Sequence, residues 1–303
     1  MEKKYYFGID IGGTSVKCGL FDPGEQLLGK WKISTRLEEN GACIVPDLVK
    51  SLEEKVRAYD LDSSCIGGLG IGVPGQVDED GNVLLAENLG WEQVPLGRML
   101  EEQTGFAVKA GNDANLAAFG EYRDGSGAGS RSMMLVTLGT GVGCGIVVDG
   151  RILVGAHGAA GEIGHMHVED RMQEKCSCGK SGCLEQLASA RGLVQIAQHM
   201  EKGRYLSARE IFEAASKGES LAVRSVETFG AYLGRALAMC ACVLDPEMIV
   251  LGGGVSGAGG LLVETVQRYY RHHAFLPCEN TKFCLAGLGN DAGIYGAFRL
   301  IQS

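Results

Sequence analysis

The sequence predicts an α/β protein of two halves, each a mixed β-sheet with helices packed on it. Strand-like apolar runs alternate with helical stretches along the whole chain. Many of the 47 glycines stand at the ends of those runs, so they punctuate elements and do not form a linker. A strand, glycine turn, strand opening occurs near residue 5 and again near residue 136, so the second half repeats the start of the first.

The elements follow in order. Residues 5–11 read as a strand, Gly12-Gly13-Thr14 as a tight turn, 16–21 as the returning strand and 27–33 as the third strand of a meander. Residues 66–73 form a buried strand stopped by Pro74-Gly75. Helix 96–103, strand 107–111 and helix 114–122 come next. The second meander spans 136–148, broken by Gly139-Thr140-Gly141, and Asp149-Gly150 is a hairpin signal into 151–154. Ser207 and Glu210 form a capping-box pair for a helix ending near Gly218. A long helix, 221–244, stops at Asp245-Pro246, and strand 248–251 runs into Gly252-Gly253-Gly254. Helix 261–272, strand 282–286 and helix 292–301 finish the chain.

Composition narrows the function. A chain of 303 residues is long enough for two domains with full cores. Hydrophobic content of 45% and charged content of 21% are those of an ordinary globular protein. A net charge of −9 argues against a nucleic-acid surface. The start, MEKKYYFGIDIGG, lacks the apolar core of a signal peptide, and the apolar helical stretch 236–244 is too short to span a membrane. Eleven cysteines, an odd number with Cys18, Cys144, Cys240 and Cys242 in core elements, fit reduced thiols in a cytoplasmic location.

The densest chemistry lies in HMHVEDRMQEKCSCGKSGCLE, residues 165–185. Cys176, Cys178 and Cys183 can give three ligands to a structural Zn²⁺, with His165 or His167 as the fourth. Gly179 and Gly182 permit the turns so short a chelate needs. A disulfide would leave one thiol over, and three free thiols in a loop are the bland reading. The glycine turns are the second signal, since backbone N–H groups there can cradle phosphates. No GxxxxGK[ST] occurs, and the Gly139 turn continues into a strand, unlike a dinucleotide-binding fingerprint. Asp113 precedes a helix, where on sequence alone an N-cap is the favoured role.

These segments carry a family resemblance. Asp10-Ile-Gly-Gly-Thr-Ser-Val-Lys17 and Thr137-Leu-Gly-Thr-Gly141 are similar to the two phosphate segments of the ROK family. Gly111-Asn-Asp-Ala-Asn115 resembles its catalytic segment, Gly161-Glu-Ile-Gly-His165 its ExGH sugar motif, and Cys176-Ser-Cys-Gly-Lys-Ser-Gly-Cys-Leu-Glu185 its CxCGxxGCxE zinc motif. The family holds repressors and sugar kinases within the actin-like ATPase and sugar-kinase superfamily, and the match covers essentially the whole chain.

The resemblance implies a two-lobed fold: a small lobe of residues 1–115 to which the last helix, 291–303, returns, and a large lobe of 116–290 with the zinc loop. The sugar would lie between lobes whose closure excludes water. It implies an ATP-dependent hexose kinase with Mg²⁺ and a structural Zn²⁺. Asp113 would be the catalytic base and His165 the fourth zinc ligand, leaving His167 as a neighbour. Gly75, Asn88, Asn112, Asp113, Glu162, His165 and Glu185 would bind the sugar, where carboxylates suit paired hydroxyls. Asp10 would act near Mg²⁺. Gly12, Gly13, Thr14, Thr137, Gly139, Thr140 and Gly141 would hold phosphates, and Lys17 would add charge or be a solvated strand residue. Gly253, Gly254 and Asn290–Gly293 would lie near adenosine.

Segments 155–165 and 87–91 look most like the glucokinase branch. Gly161 replaces the proline of the fructose-specific branch. N-acetylmannosamine, N-acetylglucosamine and allose kinases share most of these motifs, and a non-catalytic sugar sensor is the remaining alternative. A repressor of the family would carry a helix-turn-helix ahead of the first phosphate strand, which here starts near Tyr5. A homodimer is expected, with no nucleic-acid or membrane partner.

Overall fold

The computed structural model describes residues 4–303. The chain forms two compact units. The first runs to Gly125 and takes back Val154–Gly158 and Asn290–Ser303, while the second holds Ser126–Leu153 and Ala159–Gly289.

In the first unit, β1 (Tyr5–Ile11), β2 (Ser15–Phe21) and β3 (Leu27–Ser34) make the meander. A short turn, α1 (Glu38–Gly41), and helix α2 (Ile44–Ala58) lead to β4 (Ile66–Val73). A small sheet of β5 (Gln76–Val77), β6 (Val83–Ala86) and β7 (Trp91–Val94) precedes α3 (Leu96–Thr104), β8 (Val108–Asn112) and α4 (Asp113–Asp124). The main sheet has the order β3-β2-β1-β4-β8, with β1–β2 and β2–β3 antiparallel and β1–β4 and β4–β8 parallel. Phe7, Ile9, Leu69 and Ile71 on its central strands are fully buried, as strands covered on both faces require. Edge strand β3 alternates half-buried and exposed residues.

Helix α10 (Ala292–Gln302) closes this unit. Its seat is paved with glycine. A Cβ on Gly8 would strike Ile294 O, one on Gly70 would strike Ala297 O, and one on Gly296 would strike Leu116 O of α4. Phe298 stacks on Phe21 with ring centroids 3.9 Å apart. Arg299 donates to both carboxylate oxygens of Asp124, at the end of α4, and to Glu25 Oε2 at 2.6 Å. These contacts keep α4 in the first unit, whereas the sequence reading places residues after 115 in the other lobe.

The second unit repeats the sheet. Strands β9 (Ser132–Leu138), β10 (Val142–Val148), β11 (Arg151–Ile152), β12 (Met248–Gly252) and β13 (Lys282–Leu285) take the order β11-β10-β9-β12-β13. Pairs β9–β10 and β10–β11 are antiparallel, and β9–β12 and β12–β13 parallel, so the connectivity matches that of the first sheet. The helices are α5 (Glu185–Ala188), α6 (Ala190–Met200), α7 (Ala208–Ser216), α8 (Ser220–Leu244) and α9 (Gly260–His273). Ser207 caps α7 by accepting from Glu210 N at 3.2 Å, and Glu210 reaches back to Leu206 N at 2.9 Å. At 25 residues α8 is long enough and apolar enough to cross a bilayer, contrary to the expectation from residues 236–244. Its Phe229, Leu233 and Leu237 are instead fully buried in the core of this unit.

Candidate active site and metal centre

The first glycine turn joins β1 to β2. Gly12 N donates to Ser15 O at 3.1 Å, and Thr35 Oγ1 donates to Gly12 O at 2.6 Å. Gly13 and Thr14 remain exposed at its tip. Asp10 and Lys17 are partners in the β1–β2 register, and Lys17 Nζ donates to Asp10 Oδ2 at 2.9 Å. The same ammonium donates to Asn290 O at 3.3 Å. Lys17 is thus a paired cation, not a solvated strand residue. Gly293 is small because Asp10 lies against it: a Cβ there would stand 2.8 Å from Asp10 Cγ. Segment Asn290–Gly293 is therefore tied to strands β1 and β2 beside the first glycine turn, with Lys30 on Asp291 at 2.6 Å. Exposed Asn88 presents its carbonyl toward Gly13, 3.8 Å from where a Cβ would be.

Asn112, not Asp113, caps α4. Its Oδ1 accepts from Asn115 N at 3.0 Å, and its Nδ2 donates to Gly75 O at 3.1 Å. Gly75 itself packs against Leu85 and Ala86, where a Cβ would clash. Asn112 and Gly75 thus brace each other, with the close approach at Gly75 made by β6. Asp113 follows as the first helical residue, half-buried, with Oδ1 accepting from Ala114 N at 2.8 Å.

The second turn lies in the second unit. Gly139 N donates to Gly141 O at 3.0 Å, Thr140 is exposed and Thr137 half-buried. A Cβ on Gly141 would stand 2.5 Å from Glu185 Oε2, so this glycine makes room for a carboxylate. Glu185 Oε1 accepts from the Cys176 thiol at 2.8 Å and from Ser177 Oγ at 3.1 Å. Thr140, Gly141, Ser177 and Glu185 share the wall of a cavity of about 450 Å³. A second cavity, of about 620 Å³, is lined by Gly254, Val255, Gly257, Phe212 and Ala190 among others. Gly253, at φ +79°, packs on the Leu138 backbone where any side chain would clash.

The cysteine loop is a compact hairpin. Cys176 N donates to Lys180 O at 2.7 Å and Gly179 N to Cys176 O at 2.9 Å, with Gly179 and Gly182 at positive φ. His165, Cys176, Cys178 and Cys183 bring one donor atom each within 4.8 Å of one another. Cys178 Sγ and Cys183 Sγ are 3.5 Å apart, and Cys176 Sγ is 3.6 Å from His165 Nδ1. Zinc bonds of about 2.3 Å to sulfur and about 2.0 Å to nitrogen put tetrahedral donors roughly 3.5–3.8 Å apart, so the donor set fits. His167 is excluded as a ligand, because Nδ1 meets Ser181 O at 3.0 Å and Nε2 meets Asp170 Oδ1 at 2.8 Å. With His165 Nδ1 toward the thiols, Nε2 faces Glu162 Oε2 at 3.9 Å.

Sequence reasoning missed Thr35, which braces the first turn from a strand away, and the bracing role of Asn112. Ser/Thr and Asn side chains favour such local backbone bonds, but nothing in the sequence says which backbone group lies near.

Two like sheets, each with a glycine turn after its first strand, and a Cys₃His donor set that fits a metal ion define an α/β protein with two candidate phosphate turns and a candidate metal centre. The chain belongs to the ROK family, whose model matches residues 6–303. It is 40% identical to a glucokinase of Halalkalibacterium halodurans, over all of this chain and 96% of that protein. It is 32% identical to an N-acetyl-D-glucosamine kinase of Vibrio cholerae, over 96% of this chain and 98% of that one. It is also similar to the crystal structure of a ROK family glucokinase from Streptomyces griseus in complex with glucose and AMPPNP, with a TM-score of 0.78, 32% identity and 98% of each chain covered.

Proposed function

We propose that this protein transfers the γ-phosphoryl group of ATP to a hexose, glucose at its 6-hydroxyl, giving glucose 6-phosphate and ADP. The observation that carries the mechanism is that Asp113 stands half-buried as the first residue of α4, in the segment similar to the family's catalytic one, with Asn112 as the cap. A sugar hydroxyl is a poor nucleophile and needs a base within hydrogen-bond reach. Asp113 takes the hydroxyl proton as the oxygen attacks the γ-phosphorus, and the bond to the ADP oxygen breaks in line. Full-length likeness to glucokinases supports the substrate.

The remaining roles are part of the same proposal. Glu162, Glu185 and His165 Nε2 bind sugar hydroxyls, with Asn88 beside the first turn. The turns Gly12–Thr14 and Gly139–Gly141, with Thr137, hold phosphates through backbone N–H groups and hydroxyls. The purine takes the cavity lined by Gly254, next to Gly253. Mg²⁺, when bound, neutralises the phosphates. Asp10 suits its water shell, because one carboxylate oxygen is taken by Lys17 and the other is a hard acceptor. His165, Cys176, Cys178 and Cys183 would hold a structural Zn²⁺, which would fix the loop that carries Glu185 and leave His165 Nε2–H as a donor.

A homodimer is part of the proposal. Met239 and Val243 lie on one stripe of α8, and Phe275 and Leu276 follow α9; all four are exposed. Apolar surface of this kind suits a second copy.

Asp113→Asn keeps shape and hydrogen bonding but removes basicity. Turnover should fall by roughly 10²–10⁴ while glucose and ATP still bind. Near-normal turnover at saturating substrate would sink the assignment. For the sugar, kcat/KM for glucose is compared with N-acetylmannosamine and N-acetylglucosamine under identical MgATP. A preference of about tenfold or more for either acetamido sugar, roughly 1.4 kcal/mol, would move the substrate to that class and leave the kinase standing.

A further inference from the structure

The phosphate contacts assigned on the second unit, Thr137, Gly139, Thr140 and Gly141, carry no charge. On the first unit, Lys17 is already paired with Asp10. A triphosphate that transfers its terminal group needs positive charge beside it, and most of the rate in such reactions comes from electrostatic stabilisation. The wall of the cavity beside Thr140 and Gly141 holds two cations, Arg191 and Lys175.

Arg191 is the better placed. It is the second residue of α6, whose start is bonded to the phosphate turn itself: Ala190 N donates to Gly139 O at 2.8 Å. Ser189 Oγ caps the helix by accepting from Gly192 N at 3.0 Å, so the backbone that carries Arg191 is held from both sides. Ala190 lines the 620 Å³ cavity with Gly254, while Arg191 lines the 450 Å³ cavity with Thr140. A nucleotide with its purine in the first and its phosphates on Thr140 must pass the start of α6. Arg204, Arg268 and Arg299 each spend their guanidinium on a carboxylate, but among the described residues no carboxylate does so for exposed Arg191.

We propose that Arg191 binds the phosphates of the nucleotide, an inference that rests on the kinase reading. The guanidinium fork matches two phosphate oxygens at once, which an ammonium cannot do. Lys175, on the cysteine hairpin, is a looser point charge in the same wall.

The test uses the zinc-loaded full chain as wild type, Arg191→Ala, Arg191→Lys and Lys175→Ala. Loss of a charge-assisted hydrogen bond predicts that Arg191→Ala raises KM for ATP by about tenfold or more and weakens ADP, measured by titration calorimetry, by a similar factor. Adenosine affinity and KM for glucose should stay within about twofold, because neither meets the charge. Arg191→Lys should recover only part of the loss, and Lys175→Ala should cost less. Since Arg191 is exposed, the thermal midpoint of the variant should equal that of the wild type. ADP affinity unchanged within about twofold in Arg191→Ala would overturn the proposal, as would a parallel loss of adenosine, which would mean a disturbed helix start. The calorimetric readout needs no turnover. Wild type inactive on every hexose would therefore sink the kinase reading while the ADP titration still judged Arg191.

Discussion

Cys178 is the exposed member of a donor set whose other two cysteines are buried. Replacing it by serine removes a soft thiolate with little change of shape. Cys178→Ser should bring the zinc content from about one per chain toward zero, and glucose affinity should fall more than ATP affinity. Full metal content, or full activity without metal, would refute the structural role given to zinc. Two buried thiols outside the cluster are quieter. Burial pushes Cys18 up to about 12 and Cys240 up to about 11, so both stay protonated near neutral pH and react slowly. At this scale the sequence was most legible where chemistry forces residue types into a short span. The ligand set of Cys176, Cys178 and Cys183 needs only local spacing. Between His165 and His167 the residues alone left the choice open; the resemblance favoured His165, and the ring contacts of His167 agree with it. Lys17 was equally ambiguous until its partner across β1 and β2 was known.

Helix α10 shows what one element can demand of others. Its glycine crosses α4 so closely that Gly296→Ala places a methyl on the Leu116 carbonyl. Overpacking of this kind costs about 1–3 kcal/mol, which should lower the denaturation midpoint while leaving the zinc content unchanged. A midpoint equal to that of the wild type would show that the helices separate easily. The two meanders were legible because period-two apolar runs meet glycine turns in both. Helix α2 was not read, since Pro46 looks like a breaker, yet it stands in the first turn where the missing N–H is harmless. The small sheet β5-β6-β7 escaped because its strands have two to four residues, too few to show a period. Helix α6 follows the cysteine hairpin after only the single turn of α5, and Gly192 in its first turn hides the apolar stripe of Leu193, Ile196 and Ala197.

Taken whole, the molecule keeps the proposed base, Asp113, on one unit and the proposed sugar carboxylates and the candidate metal cluster on the other. The division near residue 115 that the sequence suggested cuts through a real feature, but packing moves it to Gly125. Contacts between α4 and α10, far apart in sequence, leave no local trace. Val243, 84% exposed on α8, gives the assembly a test. Val243→Glu should halve the mass measured by light scattering if the exposed apolar stripe joins two copies, since a charge buried across a two-fold meets its own image. An unchanged dimer mass would place the contact elsewhere.

The return of α10 to the first unit also sets an order of manufacture. While the chain emerges from the ribosome, β1, β4 and α4 are available early, but the helix that covers their glycine-lined face is made long after them. At about 5–20 residues per second, the stretch from Asp124 to Ala292 takes roughly ten to thirty seconds to appear. Through that interval the second unit can acquire its own core, while the first waits with apolar strands uncovered. The first unit is therefore finished after the second, and its apolar strands are the ones open to aggregation in the meantime.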